Sequence, residues 1–218
     1  MWCIPRVDEA FIARMEDVLD QYAKPYDPNE PILCFDEKSK ELHDETRPTQ
    51  PMTLTRTRRR DYEYRRNGTA NVFVTVEPKG AHREVTVTDR RTKQDFAREI
   101  KRIVDLPRYR DATTIHVILD NLNTHNASSL REAFGDDVTE QLMKRIRFHH
   151  TPKHASWLNM AEIELSIIAR QCLNRRIPTK ERLMNETTAW TTQRNNKQAM
   201  IHWTFTIDDA RKVFRDCY

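Results

Sequence analysis

Two short apolar runs each end in an aspartate, and they constrain the fold more than any other feature of the chain. "ILCFD" closes on Asp36 and "VILD" closes on Asp120. A buried carboxylate is costly unless a hydrogen bond or an opposite charge compensates it. If both runs are central strands of one sheet and point the same way, the two carboxylates emerge side by side at its carboxyl edge, where open α/β sheets form their sites. Strands lie about 4.8 Å apart, so two such charges repel, and a divalent cation with a preference for hard oxygen ligands relieves the repulsion. Each acid also has a plainer reading. Asp120 taken alone reads more readily as a turn former or helix cap, and Asp36 as an exposed acid.

The surrounding pattern predicts a mixed sheet with helices packed on it. Residues 8–24 are amphipathic at helical spacing, with Phe11, Ile12, Met15, Val18, Leu19 and Tyr22 on one side and Asp8 as a cap. "ILCFDEKS" reads as a short strand that ends at Asp36-Glu37, and 43–58 as irregular. Residues 70–78 and 82–90 read as two strands joined by a "KGA" turn. Residues 92–106 read as a helix with Phe96, Ile100, Ile103 and Val104 inward, followed by the strand "TTIHVILD". A helix capped by Asn126, the strand "IRFHHTP", and helices over 156–173, 179–196 (Thr179 as cap) and 206–214 complete the order.

A third acid is expected from the helix that carries "WLNMAEIEL". Glu162 borders its apolar side, defined by Ala161, Leu165, Ile168 and Cys172, whereas Glu164 lies about 200° further round and is expected in solvent. Trp157 reads as core more readily than as a base-stacking ring.

Net charge is only +4, but the basic residues cluster. "LTRTRRRDYEYRR" holds six arginines, among them Arg58, Arg59, Arg60, Arg65 and Arg66, and "KRIRFHHTPKH" leads into Lys153 and His154. Such clusters are either solvated surface or contacts to a polyanion. His125 is a candidate for a scissile phosphate or a proton, or equally a structural group. Arg175 and Arg176 either meet DNA or satisfy a helix C-terminus. His150 and His154 have a zinc-like spacing, but no partner pair stands at finger spacing. The four cysteines form no CxxC pair and no apolar run reaches the roughly 20 residues of a membrane span, so a cytoplasmic protein with reduced thiols is expected.

Five strings carry a resemblance: "CFDEKSKELHDETRP", "DYEYRRNGTANVFVTVEP", "RRTKQDFA", "VILDNLNTH" and "FHHTPKHASWLNMAEIELSIIARQCLNRRIP". In this order they resemble the catalytic domain of bacterial insertion-sequence transposases of the mariner superfamily, DDE enzymes with a ribonuclease H-like α/β fold, a mixed central sheet with helices on both faces. The resemblance spans nearly the whole chain. It implies an N-terminal helix and linker over 1–30 and a catalytic domain over 31–218. It places the family's acids on Asp36, Asp120 and Glu162, 84 and then 42 positions apart, the last within an L-N-x-x-E string where Met160 stands in place of a frequent proline.

The resemblance further implies two Mg²⁺ or Mn²⁺ ions, cleavage of a DNA strand and transfer of its 3′-hydroxyl to target DNA, typically at TA. It implies a homodimer at work in the nucleoid. Relatives carry helix-turn-helix modules ahead of this domain, so end recognition is expected to come from modules outside this chain or from a separate helix-turn-helix polypeptide. The competing expectations are a catalytically silent fragment that only binds DNA, and a ribonuclease or Holliday-junction nuclease on the same fold.

Overall fold

The computed structural model describes residues 7–215. Five strands form one mixed sheet in the order β3-β2-β1-β4-β5. They are β1 (Ile32–Glu45), β2 (Tyr64–Glu77), β3 (His82–Thr88), β4 (Ile115–Leu119) and β5 (Ile146–His150). The first three pair antiparallel as a meander, and β4 and β5 run parallel to β1. The long crossover between β3 and β4 carries α2 (Lys93–Val104); α3 (Ala127–Phe134) and α4 (Asp136–Arg145) link β4 to β5.

Strand alternation divides the core between two faces. Leu33 and Phe35 of β1, Phe73 of β2, and Val117 and Leu119 of β4 point toward α2, α3 and α4, where they meet Phe96, Ile100, Ile103, Leu130 and Leu142. Phe35 stacks on Phe73 at 5.6 Å between ring centroids and meets Phe96 edge-on at 5.5 Å. Burial of each such ring contributes roughly 1.5–3 kcal/mol. The alternate residues Cys34, Val76 and Ile118 face α1 (Glu9–Ala23), α5 (Met160–Ile168) and α7 (Ile207–Val213). Further along that side, Val72 and Val74 pack with Leu165, Ile168 and α6 (Lys180–Asn196). Helices therefore cover both faces.

The expected caps Asp8, Asn126 and Thr179 hold their helices through side-chain oxygens, and Thr92 and Thr206 do the same for α2 and α7. The helix α4 was not foreseen. It follows α3 through Gly135, whose φ of 80° and ψ of 176° lie in a region essentially confined to glycine.

Two expected boundaries are corrected. β1 does not end at Asp36-Glu37; it continues to Glu45 and pairs with β2 along a long hairpin. The polar residues beyond Glu37 need no buried face there, because the antiparallel ladder satisfies their backbone. The expected helix over 156–173 is three pieces: a short 3₁₀ turn (Ser156–Leu158), α5, and a π turn (Ala169–Leu173). Lys40 of β1 donates to the Leu173 carbonyl at 2.8 Å and Arg175 Nε to that of Cys172 at 3.0 Å, satisfying carbonyls that the wider turn leaves open.

Candidate active site

β1 and β4 pair Ile32 with His116 and Cys34 with Ile118. That offset of 84 is also the separation of Asp36 and Asp120, so the two carboxylates stand level on adjacent parallel strands. Asp36 shares the alternation of Cys34, the face that α5 covers, and Asp120 lies one residue past the end of β4.

Asn159 sets where α5 begins. Its Oδ1 accepts from Ala161 N at 3.1 Å as the cap, and its Nδ2 donates to the Phe35 carbonyl at 2.8 Å. Tyr22 of α1 adds a second tie: its hydroxyl donates to the Leu158 carbonyl at 2.7 Å and accepts from Met160 N at 3.3 Å. The first turn of α5 is thereby fixed beside Asp36, and Glu162 projects from it, exposed.

Asp36 is 9% exposed. Burial, reinforced by the charges of Glu162, Glu37 and Asp120, pushes its carboxyl up to about 7, although the Glu37 amide donates to it at 2.8 Å. Asp120 behaves oppositely. Burial opposes its ionisation, but the hydrogen bond and charge of His125 outweigh this and hold it below the usual carboxylate range. His125 Nδ1 donates to Asp120 Oδ1 at 2.6 Å. Its Nε2 stands 3.2 Å from Glu37 Oε2, an ion-pair distance without hydrogen-bond alignment, so that oxygen is buried with no hydrogen-bond partner. Burial disfavours the imidazolium, yet the two carboxylates raise its pKa to about 9.

Asp120 thus pairs with a histidine five residues on, not with a backbone cap alone; the Leu122 amide adds a longer contact at 3.2 Å. His125 is 1% exposed and its ring packs on Phe35 and Phe96. Its expected contact with a DNA phosphate is therefore corrected: neither nitrogen is free to reach one. The motif's spacing, an acid at a strand end and a histidine just before the next helix, is the signal that could have found this.

Glu164 is also corrected. It is fully buried rather than solvated, held by Arg83 Nε at 3.0 Å and Arg194 Nε at 2.9 Å. The side of α5 away from the sheet's apolar residues meets β3 and α6 instead of water. Trp157 is 45% exposed and touches Phe205 edge-on, so it is not core.

An open cleft of about 380 Å³ adjoins Asp120, walled by Thr151, Lys153 and His154. Lys153 and His154 are exposed there. Arg58, Arg59 and Arg66 are exposed; Arg60 lies 3.8 Å from Glu45, and Arg65 bonds Asp44 at 2.8 Å. Arg175 pairs with Glu186, and Arg176 donates to the Asp61 and Tyr62 carbonyls at 2.7 and 3.0 Å. These last two brace the chain more than they reach outward. His150 Nε2 donates to the His125 carbonyl at 2.6 Å, so its ring serves the Asp120 loop rather than a zinc pair.

All three candidate ligand groups are carboxylates, the donor type that Mg²⁺ and Mn²⁺ prefer, and Asp36, raised first by burial and further by its acidic neighbours, is a group whose ionised form a cation would favour. They do not form a closed cage: among the described residues no three His, Cys, Asp or Glu side chains are gathered in metal-binding geometry.

The two aspartates, with a glutamate on the covering helix, sit at the carboxyl edge where open α/β sheets form their sites. Residues 31–184 match the family model of the DDE superfamily endonucleases, and the chain belongs to that family. Comparison with curated proteins gives no match. Among solved structures, the chain resembles the Mos1 mariner paired-end complex with Mg (TM-score 0.58, 13% identity, all of this chain and 66% of that one). It similarly resembles the paired-end complex with Mn (0.54, 15%, all and 64%) and the Mos1 strand transfer complex (0.52, 16%, all and 63%). These likenesses establish a ribonuclease H-like fold; the chain spans just under two thirds of the Mos1 chain. No helix among the described residues is long and apolar enough to cross a membrane.

Proposed function

We propose that the chain is the catalytic domain of a mariner-type transposase, in which Asp36, Asp120 and Glu162 hold divalent metal for cleavage and strand transfer on DNA. The observation that carries this is the level register of Asp36 and Asp120 beneath the first turn of α5, within a DDE endonuclease family match. The Mg and Mn complexes of Mos1 make Mg²⁺ or Mn²⁺ the fitting ions, two of them by analogy. When bound, such ions polarise the attacking water or 3′-hydroxyl and the leaving oxygen.

The protein's own groups do the rest. Asp36 presents its oxygens from a fixed strand position, Asp120 from the residue just past β4, and Glu162 approaches them from α5. Lys153 and His154 meet backbone phosphates at the cleft, setting the position of the duplex rather than reading its sequence. Arg58, Arg59, Arg60, Arg65 and Arg66 extend that contact along the hairpin. End recognition by a separate helix-turn-helix polypeptide or module, a homodimer in the paired-end state, and insertion at TA all belong to this proposal.

The test is metal-dependent nicking of a transposon-end duplex. We expect Mn²⁺-dependent nicking lost at least about a hundredfold in Asp36→Asn, Asp120→Asn or Glu162→Gln, each removing a ligand of the metal that would stabilise transition-state charge. DNA binding with no nicking at any Mn²⁺ or Mg²⁺ concentration would instead support a silent DNA-binding fragment.

A further inference from the structure

We propose that Glu37 and His125 form a positioning bridge that sets the spacing between the two aspartates. The inference rests on the metal-site reading of Asp36 and Asp120. Asp36 and Glu37 are consecutive in β1, so their side chains leave opposite faces of the sheet. Asp36 faces α5. Glu37 faces α2, where it is buried.

His125 lies on that second face, between Phe35 and Phe96, and reaches both strands at once. One nitrogen is 2.6 Å from Asp120 and the other 3.2 Å from Glu37. The path Asp36–Glu37–His125–Asp120 is thus a closed clip around the β1–β4 edge. The loop that bears Asp120 has left the ladder, and the last paired residue before it is Leu119. Without the clip, its carboxylate is tethered by little more than the 3.2 Å Leu122 contact. The carbonyl of His125 is itself held by His150 at 2.6 Å, which anchors the clip to β5.

The clip also accounts for a buried acid that the chemistry does not use. Glu37 touches no candidate substrate or metal position. Its Oε2 has no hydrogen-bond partner, so its closest compensation is the imidazole 3.2 Å away, with Arg91 3.7 Å from Oε1. A buried carboxylate of that kind persists where it has a specific partner to hold. Residues that orient a metal ligand in this way typically influence metal affinity by 10- to 100-fold.

The experiment is Mn²⁺ calorimetry on the full chain, with thermal unfolding recorded for every variant. Native protein is expected to bind Mn²⁺ and Asp120→Asn to lose it. His125→Leu is expected to weaken binding by about tenfold or more, and Glu37→Gln to weaken it as well. His125→Asn keeps an amide N–H near the place of Nδ1 and is expected to recover part of the loss. The double variant Glu37→Gln/His125→Leu should bind no more weakly than His125→Leu alone. Should His125→Leu fail to fold, Glu37→Gln and His125→Asn decide. Folded variants with lowered melting temperature but native Mn²⁺ affinity overturn the positioning bridge and leave the metal site standing. A native chain that binds no Mn²⁺, or binds it unchanged after Asp120→Asn, overturns the metal-site reading and the bridge with it.

Discussion

Asn159 donates its side-chain amide to the carbonyl of Phe35 at 2.8 Å, one residue before Asp36, while capping the helix that carries Glu162. One side chain therefore fixes the approach of the third acid to the first. Asn159→Ala removes the cap and orphans a buried carbonyl, and should lower stability by about 2–3 kcal/mol. Asn159→Asp keeps the capping oxygen but sets a buried carboxylate oxygen against the Phe35 carbonyl beside Asp36, and should cost at least as much as Asn159→Ala. Urea denaturation of the three proteins checks the order; equal midpoints would remove Asn159 from this role.

Glu162 and Glu164 should separate cleanly. Glu164 is buried between Arg83 and Arg194, so Glu164→Gln leaves buried guanidinium charge undercompensated and should cost roughly 3–5 kcal/mol. Glu162→Gln should leave the unfolding midpoint nearly unchanged and abolish Mn²⁺-dependent nicking. The reverse pattern would exchange the two assignments.

Asp36 makes the metal-free protein sensitive to pH. Its carboxyl is raised to about 7, above an unfolded value of about 3.9. The folded state therefore binds the proton more tightly. Its contribution is most favourable below pH 4, falls as pH rises from about 4 to 7, and levels above 7. Asp36→Asn should accordingly stabilise the metal-free protein at pH 8, on the order of 2–4 kcal/mol, and by less at pH 5. Chemical denaturation at the two pH values, with chelator present, measures the difference; an equal effect at both would exclude the raised carboxyl.

The basic residues should divide by their partners. Lys153 stands exposed at the cleft beside Asp120, whereas Arg175 is engaged with Glu186. Lys153→Ala should weaken binding to any duplex and reduce the slope of log affinity against log salt by about one. Arg175→Ala should leave that slope unchanged. Fluorescence anisotropy between low and moderate salt distinguishes them.

The parts of the fold legible in the sequence were those with a buried face or a cap. Val117, Ile118 and Leu119 fill two faces of β4, and Thr92 and Asn126 start the expected helices. The far half of β1 is hidden because its hairpin buries little: Leu42, which lies in a core cluster, is the single apolar residue of 37–45. A period-two signal cannot arise from side chains that do not alternate between oil and water. Glu164 was misjudged for the opposite reason. A helical wheel assumes one wet side, and α5 has β3 and α6 covering the side that looked free. The partner of Asp120 was within reach of sequence, five residues away, but the role of Glu37 required the register of β1 against β4.

That register has a mechanical consequence. Asp36 lies inside a strand, opposite Val74 of β2, with the ladder continuing on both sides. Asp120 lies just past the last paired residue of β4. One side of the site is thus held by the sheet ladder and the other by side chains, His125 above all. Amide protons around Asp36 should exchange only with global opening, while those of residues 120–126 exchange through local excursions. A metal held by both acids would then register as slowed exchange on the Asp120 side of the site alone.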